Sequence, residues 1–197
     1  LKQTGKIDFN KFLKANFESY KIAEWSEESI KAYTYIHHYE EIKNCNDKEI
    51  TSLNGISRNY NEPMTKEQIN NLKEDEKILL TNCKKITHNL IDISKVKGED
   101  LNIVDTDKYE YVLTYSYPCQ DLSLAGKLGG MEEDSGTRSS LLWEVERLLK
   151  ECKEKGNLPQ VLCMENVPQV IGTKNKASFH KFMKRLLVFV LLATVLF

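Results

Sequence analysis

Two side chains with the reactivity for covalent and acid–base chemistry, Cys119 and Glu165, each follow an apolar, strand-like run. Residues 111–115 (Tyr-Val-Leu-Thr-Tyr) precede Cys119, and residues 161–164 (Val-Leu-Cys-Met) precede Glu165. A cysteine that a loop exposes can act as a thiolate nucleophile, and a carboxyl group that its pocket keeps protonated can act as an acid. The alternative is that Cys119 is one buried thiol among five and that Glu165 only caps a helix.

The segment between the two runs has the strongest helical periodicity of the chain. Its apolar residues recur at helical spacing: Leu141, Leu142, Val145, Leu148, Leu149 and Cys152. Residues 156–159 (Gly-Asn-Leu-Pro) end this predicted helix. A strand, a helix and a second strand joined by short links predict a βαβ unit, and therefore a parallel α/β sheet. Ligands bind beyond the carboxyl ends of such strands, where Cys119 and Glu165 are expected.

The N-terminal half is predicted from weaker signals. Residues 20–23 favour a short strand that ends at Glu24 and Trp25, and Ser26 is expected to cap a helix with an apolar stripe of Ile30, Tyr33 and Ile36. Residues 39–90 are polar and rich in Asn and Lys, with one helix predicted from Thr65. We interpret this stretch as an insertion on the surface of the fold.

Three sequence blocks, in order, give the chain a family resemblance. They are residues 117–123 (Tyr-Pro-Cys-Gln-Asp-Leu-Ser), the glycine-containing stretch 126–144, and residues 164–167 (Met-Glu-Asn-Val). They resemble the catalytic motif, the mobile loop with its following helix, and the Glu-Asn-Val motif of the DNA (cytosine-5) methyltransferases. The resemblance covers nearly the whole chain outside residues 39–90 and the C-terminal tail.

The resemblance implies a mechanism for Cys119 and Glu165. Carbon 5 of cytosine is a poor nucleophile, and attack of the Cys119 thiolate on carbon 6 would activate it. Glu165 would protonate ring nitrogen 3, and Asn166 would orient the loop that carries Glu165. Carbon 5 would then accept a methyl group from S-adenosylmethionine. A stacked base cannot enter such a site, so the family flips cytosine out of the duplex, at a cost of a few kcal/mol.

The same resemblance implies contacts with double-stranded DNA. Gln120 and Ser123 belong to the catalytic block, and Lys127 and Arg138 belong to the loop that would close on DNA and meet phosphates. The alternative interpretation of this stretch is a surface loop without a function.

Cofactor-binding residues are also implied by the resemblance. Glu24 resembles the acidic residue that holds the ribose hydroxyls of S-adenosylmethionine, and Trp25 would stack on the adenine. Asp92 and Ile93 resemble the block at the adenine edge, and Pro118 would line the methionine end. Without the resemblance, Glu24 and Trp25 are an ordinary strand end, and Asp92 belongs to a helix cap or a turn.

Composition excludes several other classes of protein. The 28 Lys and Arg against 29 Asp and Glu give a net charge of −1, which argues against a histone-like nucleic-acid binder. Five widely spaced cysteines without a C-x-x-C pair predict neither a disulfide framework nor a zinc site, and the four histidines fit no metal spacing. No secretory signal is recognisable, so we expect a cytoplasmic protein without a metal. Residues 186–197 are uncharged but too short for a membrane span, at about 18 Å as a helix.

Other elements of the family have no counterpart in the sequence. The F-x-G-x-G loop with its first strand, the Q-x-R-x-R segment and the target recognition domain are not found. We therefore expect an incomplete Rossmann-like methyltransferase sheet over residues 1–185, weak cofactor binding, and a monomer unless another polypeptide supplies the rest. Residues 186–197 are interpreted as a frameshifted or truncated tail, with a genuine buried strand as the alternative.

The predicted function is cytosine-5 methylation of DNA in a bacterial or phage restriction-modification system. Two alternatives stay open, the first because the sheet is expected to be incomplete. One is an inactive remnant or a nucleic-acid-binding fragment that does no chemistry. The other is an RNA cytosine-5 methyltransferase of similar fold.

Overall fold

The computed structural model describes residues 17–116, 141–173, 175–189 and 192–196. These residues form two compact units, one up to Val96 and one from Lys97 onward. The site residues predicted from the sequence therefore fall into three groups. Glu24, Trp25, Asp92 and Ile93 belong to the first unit, and Glu165 and Asn166 to the second; the others, Pro118, Cys119, Gln120, Ser123, Lys127 and Arg138, lie outside the described residues.

The described part of the first unit contains four α-helices: α1 (Glu27–His37), α2 (Tyr39–Lys43), α3 (Lys66–Asn70) and α4 (Glu74–Ile86). Ser26 caps α1 as predicted, because its side chain accepts a hydrogen bond from the backbone N–H of Ser29. The single helix predicted from Thr65 is two helices. Thr65 and Gln68 form a capping box at α3, and Lys73 has the extended backbone that begins α4.

The buried face of α1 differs from the predicted apolar stripe. Ile30 is fully buried, but Ile36 is 72% exposed, and Glu27 and Thr34 take the remaining buried positions. Both polar side chains have partners: the Thr34 hydroxyl donates to the carbonyl of Ile30 at 2.7 Å, and Glu27 forms ion pairs with Lys31 and Arg58. Hydropathy alone does not predict that polar side chains are buried when hydrogen bonds or ion pairs compensate for the loss of water.

Residues 39–90 supply most of the core of the first unit, so their expected placement on the surface is wrong. Seven of the nine buried residues in this core come from the stretch: Ile42, Leu53, Ile56, Met64, Leu72, Leu80 and Cys83. Leu53, Ile56 and Met64 lie outside helices, where burial leaves no periodic signal in the sequence. That the stretch is an insertion relative to the family stays a prediction.

The strand predicted over residues 20–23 does not form. The backbone there pairs only sparsely: the carbonyl of Ile22 accepts from the N–H of Leu90 at 2.8 Å, and Ser26 makes an isolated parallel bridge with Ser57. Strand propensity needs a neighbouring strand to become a ladder, and within the described residues of this unit no named strand is present.

The second unit contains the predicted βαβ arrangement. Strand β1 (Val112–Tyr115), helix α5 (Leu142–Glu154) and strand β2 (Val161–Glu165) follow one another, and β1 and β2 are parallel, with Tyr115 opposite Met164. The apolar spacing places Leu142, Leu149 and Cys152 on the buried face of α5, whereas Leu141 is 37% exposed. The predicted parallel α/β arrangement is confirmed for these elements.

The chain then continues through a second crossover. A 3₁₀ helix (Pro168–Ile171) and helix α6 (Lys176–Leu186) lead from β2 to strand β3 (Leu192–Leu196), which is parallel to β2 on the side away from β1. Residues 192–196 thus form a strand, as the second interpretation of the tail expected. The origin of the tail sequence stays a prediction.

Helix α6 is held against α5 by aromatic and charged contacts. Phe182 is fully buried and meets Trp143 edge-on at 5.4 Å and Tyr115 at 6.4 Å between ring centroids. The Arg185 guanidinium lies over the Trp143 ring and donates to Glu146 at 2.7 Å. Glu146 is buried, and its carboxylate also pairs with Lys150. These contacts fix the helices on the two crossovers against each other.

Candidate active site

Glu165 and Asn166 lie where β2 ends. Val161, Leu162 and Met164 are buried, whereas Glu165 is exposed and Asn166 is again buried, at 3% exposure. The Asn166 side-chain oxygen accepts a hydrogen bond from the backbone N–H of Val167 at 2.9 Å. The buried amide therefore anchors the turn that follows the strand and leaves the Glu165 carboxylate open to a ligand.

The end of β1 lies beside this turn. Tyr115 pairs in register with Met164, the residue directly before Glu165. Because the two strands are parallel, their carboxyl ends meet at one edge of the sheet. The chain leaves β1 four residues before Cys119, and the same edge presents Glu165.

In the first unit, the two predicted cofactor segments are joined by Asn89. Its side chain accepts a hydrogen bond from the Glu24 N–H at 3.1 Å and donates one to the Glu24 carbonyl at 2.9 Å. The same side-chain oxygen accepts from the N–H of Ile91 at 2.8 Å. A single buried amide thus takes the place of a strand partner for Glu24 and brings residues 24 and 91 together.

Asn89 also holds an unusual backbone conformation. Ile91 has φ of 66°, a left-handed conformation that is an outlier for a β-branched residue. Ile91 contacts the region of Gly55, where an added Cβ would lie 3.0 Å from the Ile91 side chain. Asn89 was not predicted as a site residue. Its only signal in the sequence is an amide side chain directly before two apolar residues, Leu90 and Ile91.

The Glu24 carboxylate bonds locally. One oxygen accepts from the backbone N–H of Ser26 at 2.7 Å, and Ser26 is the only hydrogen-bond donor to it among the described residues. Trp25 is partly buried against the core of the first unit, and its carbonyl accepts from the N–H of Ser57. The second Glu24 oxygen has no described partner, so the carboxylate keeps capacity for a hydroxyl donor.

Asp92 is bound more fully to its own turn. It accepts from the backbone N–H and the hydroxyl of Ser94, at 3.1 and 2.6 Å, and pairs with Lys95 at 3.0 Å. Partial burial raises the pKa of Asp92, but the bonds from Ser94 and Lys95 outweigh it and hold the pKa below its ordinary value. These contacts agree with a turn-forming role, and Ile93 beside it is half-buried.

An ion-pair cluster lies next to Glu24 along the chain. Glu27 pairs with Lys31 and Arg58, and Arg58 also binds Glu76 of α4. Glu27, Glu28 and Arg58 line an open cavity of about 250 Å³. Because Glu27 and Arg58 are already paired with each other, the cluster serves to join α1 to α4 rather than to offer a free charge.

The described cysteines are free thiols. Burial raises the pKa of Cys83, Cys152 and Cys163, so these three are poor nucleophiles at neutral pH. Within the described ranges, no three His, Cys, Asp or Glu side chains form a group that could hold a metal ion. None of the helices described there is long and apolar enough to cross a bilayer.

Comparison with known proteins identifies the wider group. The family model described as C-5 cytosine-specific DNA methylase matches residues 62–189, about two thirds of the chain. The chain belongs to this family. The match includes β1, α5, β2 and α6, with Asp92, Cys119, Glu165 and Asn166 inside it and Glu24 and Trp25 before it.

Curated relatives of the chain carry names that agree with this family. The chain is 33% identical over 186 residues to "Orphan methyltransferase M.SssI" of Spiroplasma monobiae, covering 89% of the chain and 46% of that protein. It is 40% identical over 99 residues to "Type II methyltransferase M2.ScrFI" of Lactococcus lactis subsp. cremoris, covering 50% of the chain and 24% of that protein.

A third relative, "Type II methylase M.HgiDII" of Herpetosiphon aurantiacus, is 33% identical over 94 residues, covering 48% of the chain and 24% of that protein. The chain thus spans at most about half the length of these relatives. The resemblance predicted from the three sequence blocks is confirmed at the level of the family, and the family implies a methyltransferase fold that uses S-adenosylmethionine.

Proposed function

We propose that the chain carries the catalytic centre for transfer of a methyl group to carbon 5 of a flipped cytosine in double-stranded DNA. The observation that supports this most is the pairing of β1 and β2. Cys119 follows one strand and Glu165 ends the next, at the same edge of a parallel sheet, in a chain of the C-5 cytosine-specific DNA methylase family.

In this proposal, the chain's residues first activate the base. The Cys119 thiolate forms a bond to carbon 6 of cytosine, while the neutral Glu165 carboxyl gives its proton to ring nitrogen 3. The electron pair of the carbon 5–carbon 6 double bond moves towards carbon 5, which becomes nucleophilic. Asn166 holds the turn through Val167, so that Glu165 keeps its position at the strand end.

The later steps methylate the cytosine, release it and regenerate the enzyme. S-adenosylmethionine, when bound, supplies the electrophilic methyl group, with S-adenosylhomocysteine as the leaving group. A basic group then removes the proton from carbon 5, nitrogen 3 returns its proton to the Glu165 carboxylate, the bond between carbon 6 and Cys119 breaks, and the thiolate is regenerated. Gln120, Ser123, Lys127 and Arg138 are proposed to contact the DNA during this cycle.

The first unit offers a hydrogen-bond acceptor that suits the cofactor. Glu24 has one carboxylate oxygen without a described partner, which fits the ribose hydroxyls, and Asn89 fixes its backbone. Trp25 is proposed to stack on adenine and Pro118 to line the methionine end. Asp92 fits less well, since Ser94 and Lys95 occupy both of its oxygens; we propose that it and Ile93 shape the adenine edge mainly through the turn.

The names of the relatives favour a cellular setting. Two of them are called type II methyltransferase or methylase, so we propose that the protein acts in a bacterial or phage restriction-modification system, in the cytoplasm. Double-stranded DNA is the proposed partner, with a complementing polypeptide if other parts of the sheet come from elsewhere.

Incorporation of labelled methyl groups tests the proposal. The 197-residue chain is incubated with methyl-labelled S-adenosylmethionine and either duplex DNA or tRNA. We expect label in duplex DNA, its complete loss in Cys119→Ala, and a loss of about 10²- to 10⁴-fold in Glu165→Gln, because an acid that acts in the transition state contributes about this much.

Matched variants control this experiment. Cys45→Ala removes a described free thiol outside the site, and Glu154→Gln neutralises an exposed glutamate at the end of α5. Both are expected to keep the native rate. Label in tRNA alone would favour the RNA methyltransferase, and no label in either nucleic acid would favour the inactive remnant; either result contradicts the proposal.

A further inference from the structure

Charge is distributed very unevenly along the chain. All 29 acidic residues lie before Asn166, whereas five of the 28 basic residues follow it: Lys174, Lys176, Lys181, Lys184 and Arg185. The chain up to Asn166 is therefore acidic, whereas the charged residues after Asn166 are all basic, although the net charge of the whole chain is only −1. Single-sign charge of this kind indicates a polyanionic partner when it is exposed on one surface.

Helix α6 gives this charge a surface. Its inward face consists of the buried residues Phe179, Phe182 and Leu186. The opposite face exposes Lys176, His180 and Lys184, which follow each other at intervals of four residues and so form one row along the helix. We call these three residues the α6 row.

The lysines of the α6 row differ from several other lysines among the described residues. Lys31, Lys85, Lys150 and Lys155 are paired with acidic side chains. In the part of the chain that the structure describes, neither Lys176 nor Lys184 forms an ion pair or hydrogen bond through its side chain. Their neighbours Lys181 and Arg185 instead lie over the Trp143 ring, where they support the packing of α6 on α5.

The topology places one end of the α6 row at the catalytic edge of the sheet. The chain leaves the carboxyl end of β2 at Glu165 and must return to the amino end of the parallel strand β3. Helix α6 therefore begins near the edge that carries Glu165 and runs away from it. Lys176 lies in its first turn, and Lys184 lies about 12 Å further along the axis, at about 1.5 Å a residue.

We infer that the α6 row is a docking surface for the phosphate backbone of the DNA duplex. The inference rests on the proposed function, which supplies duplex DNA as the substrate, and extends it to a helix that holds none of the proposed site residues. Duplex DNA carries one negative charge for about 1.7 Å of its axis, so a 12 Å row of unpaired lysines meets several phosphates. Such contacts position DNA without reading its sequence.

Salt-dependent DNA binding tests this inference. The full chain and the variant Lys176→Gln/Lys184→Gln are titrated with a labelled duplex, without cofactor, between about 50 and 200 mM salt. Each lost phosphate contact removes about 0.9 from the slope of log affinity against log salt concentration, so the variant is expected to lose about two from the slope and at least about tenfold in affinity.

The control variant is Lys48→Gln/Lys66→Gln. It removes the same charge from exposed lysines of the first unit that also lack ion pairs but have Asp47, Glu49 and Glu67 as sequence neighbours. We expect its slope to equal that of the native chain. Circular dichroism of both variants verifies that they fold, which is expected because all four lysines are exposed.

Each outcome separates this inference from the proposed function. An unchanged slope in the α6 variant, or an equal loss in the control, would overturn the docking surface. If methyl transfer to duplex DNA persists in that case, the proposed function stands without it. A reduced slope in a chain that transfers no methyl group would support the surface and contradict the chemistry.

Discussion

At the scale of residues, the site depends on buried polar groups that position exposed ones. Asn166 is buried and bonds to the backbone of Val167, which leaves the neighbouring Glu165 carboxylate exposed at the end of β2. In the first unit, the buried Asn89 amide bonds to the backbone of the half-buried Glu24. In both cases an amide, which can donate and accept at once, fixes a main chain that is not in a regular ladder.

The Glu27 carboxyl group makes the stability of the fold depend on pH. Burial raises the pKa of its carboxyl group, but hydrogen bonds from Arg58 and Lys31 outweigh this and hold the pKa below its ordinary value. Because the pKa is depressed in the folded state, the ion stabilises the fold at pH values above 4.5 and this contribution is lost as the pH falls through the folded-state pKa.

Glu27→Gln is therefore expected to lower the free energy of unfolding by about 2 kcal/mol at pH 7. The difference from the native chain should shrink as the pH falls below about 4. Urea titrations at a series of pH values measure this. Glu28→Gln, at the adjacent exposed position, is the control and should change stability by less than about 0.5 kcal/mol; a gap that stays constant with pH would contradict the assignment.

At the scale of elements, the βαβ unit was predictable and its surroundings were not. The apolar runs 111–115 and 161–164 and the spacing of α5 are local signals, and the structure has β1, α5 and β2 where they predict them. Residues 20–23 also favour a strand, but the backbone of Glu24 bonds to a side chain, Asn89, and not to a strand. Such pairing depends on a residue 65 positions away, which no local pattern contains.

Core formation by residues 39–90 was also not predictable from local sequence patterns. The stretch is polar on average, yet Leu53, Ile56 and Met64 from its loops are buried. Loop residues have no fixed period, so their inward direction is decided by tertiary contacts. The candidate catalytic residues stay predictions, which are based on three motifs that occur in family order. The cofactor segment was predictable only in part, since Asn89 belongs to no recognised motif.

Asn89→Ala is expected to destabilise the first unit by about 2–3 kcal/mol, because it leaves buried backbone groups of Glu24 and Ile91 without partners. It should also weaken binding of S-adenosylmethionine, since the backbone of Glu24 loses its anchor. Urea titration and calorimetry at a temperature where the variant is folded measure the two effects. Asn46→Ala, at an exposed loop position, should change neither; cofactor affinity equal to the native value in Asn89→Ala would contradict this role.

At the scale of the whole molecule, the chain belongs to a family whose curated relatives are about twice its length or more. Its described residues form two compact units, with the proposed catalytic acid in one and the proposed cofactor residues Glu24 and Trp25 in the other. All charged residues after Glu165 are basic. The central claim that joins these features is a covalent bond between Cys119 and a cytosine base.

A duplex that contains 5-fluorocytosine tests that claim most directly. Fluorine at carbon 5 cannot leave as a proton does, so the adduct persists after methyl transfer. With S-adenosylmethionine present, we expect a protein–DNA species that survives denaturation, with the modified peptide mapped to Cys119 by mass spectrometry, and no such species in Cys119→Ala. A stable adduct at another of the five cysteines, or no adduct under conditions where duplex DNA is bound, would contradict it.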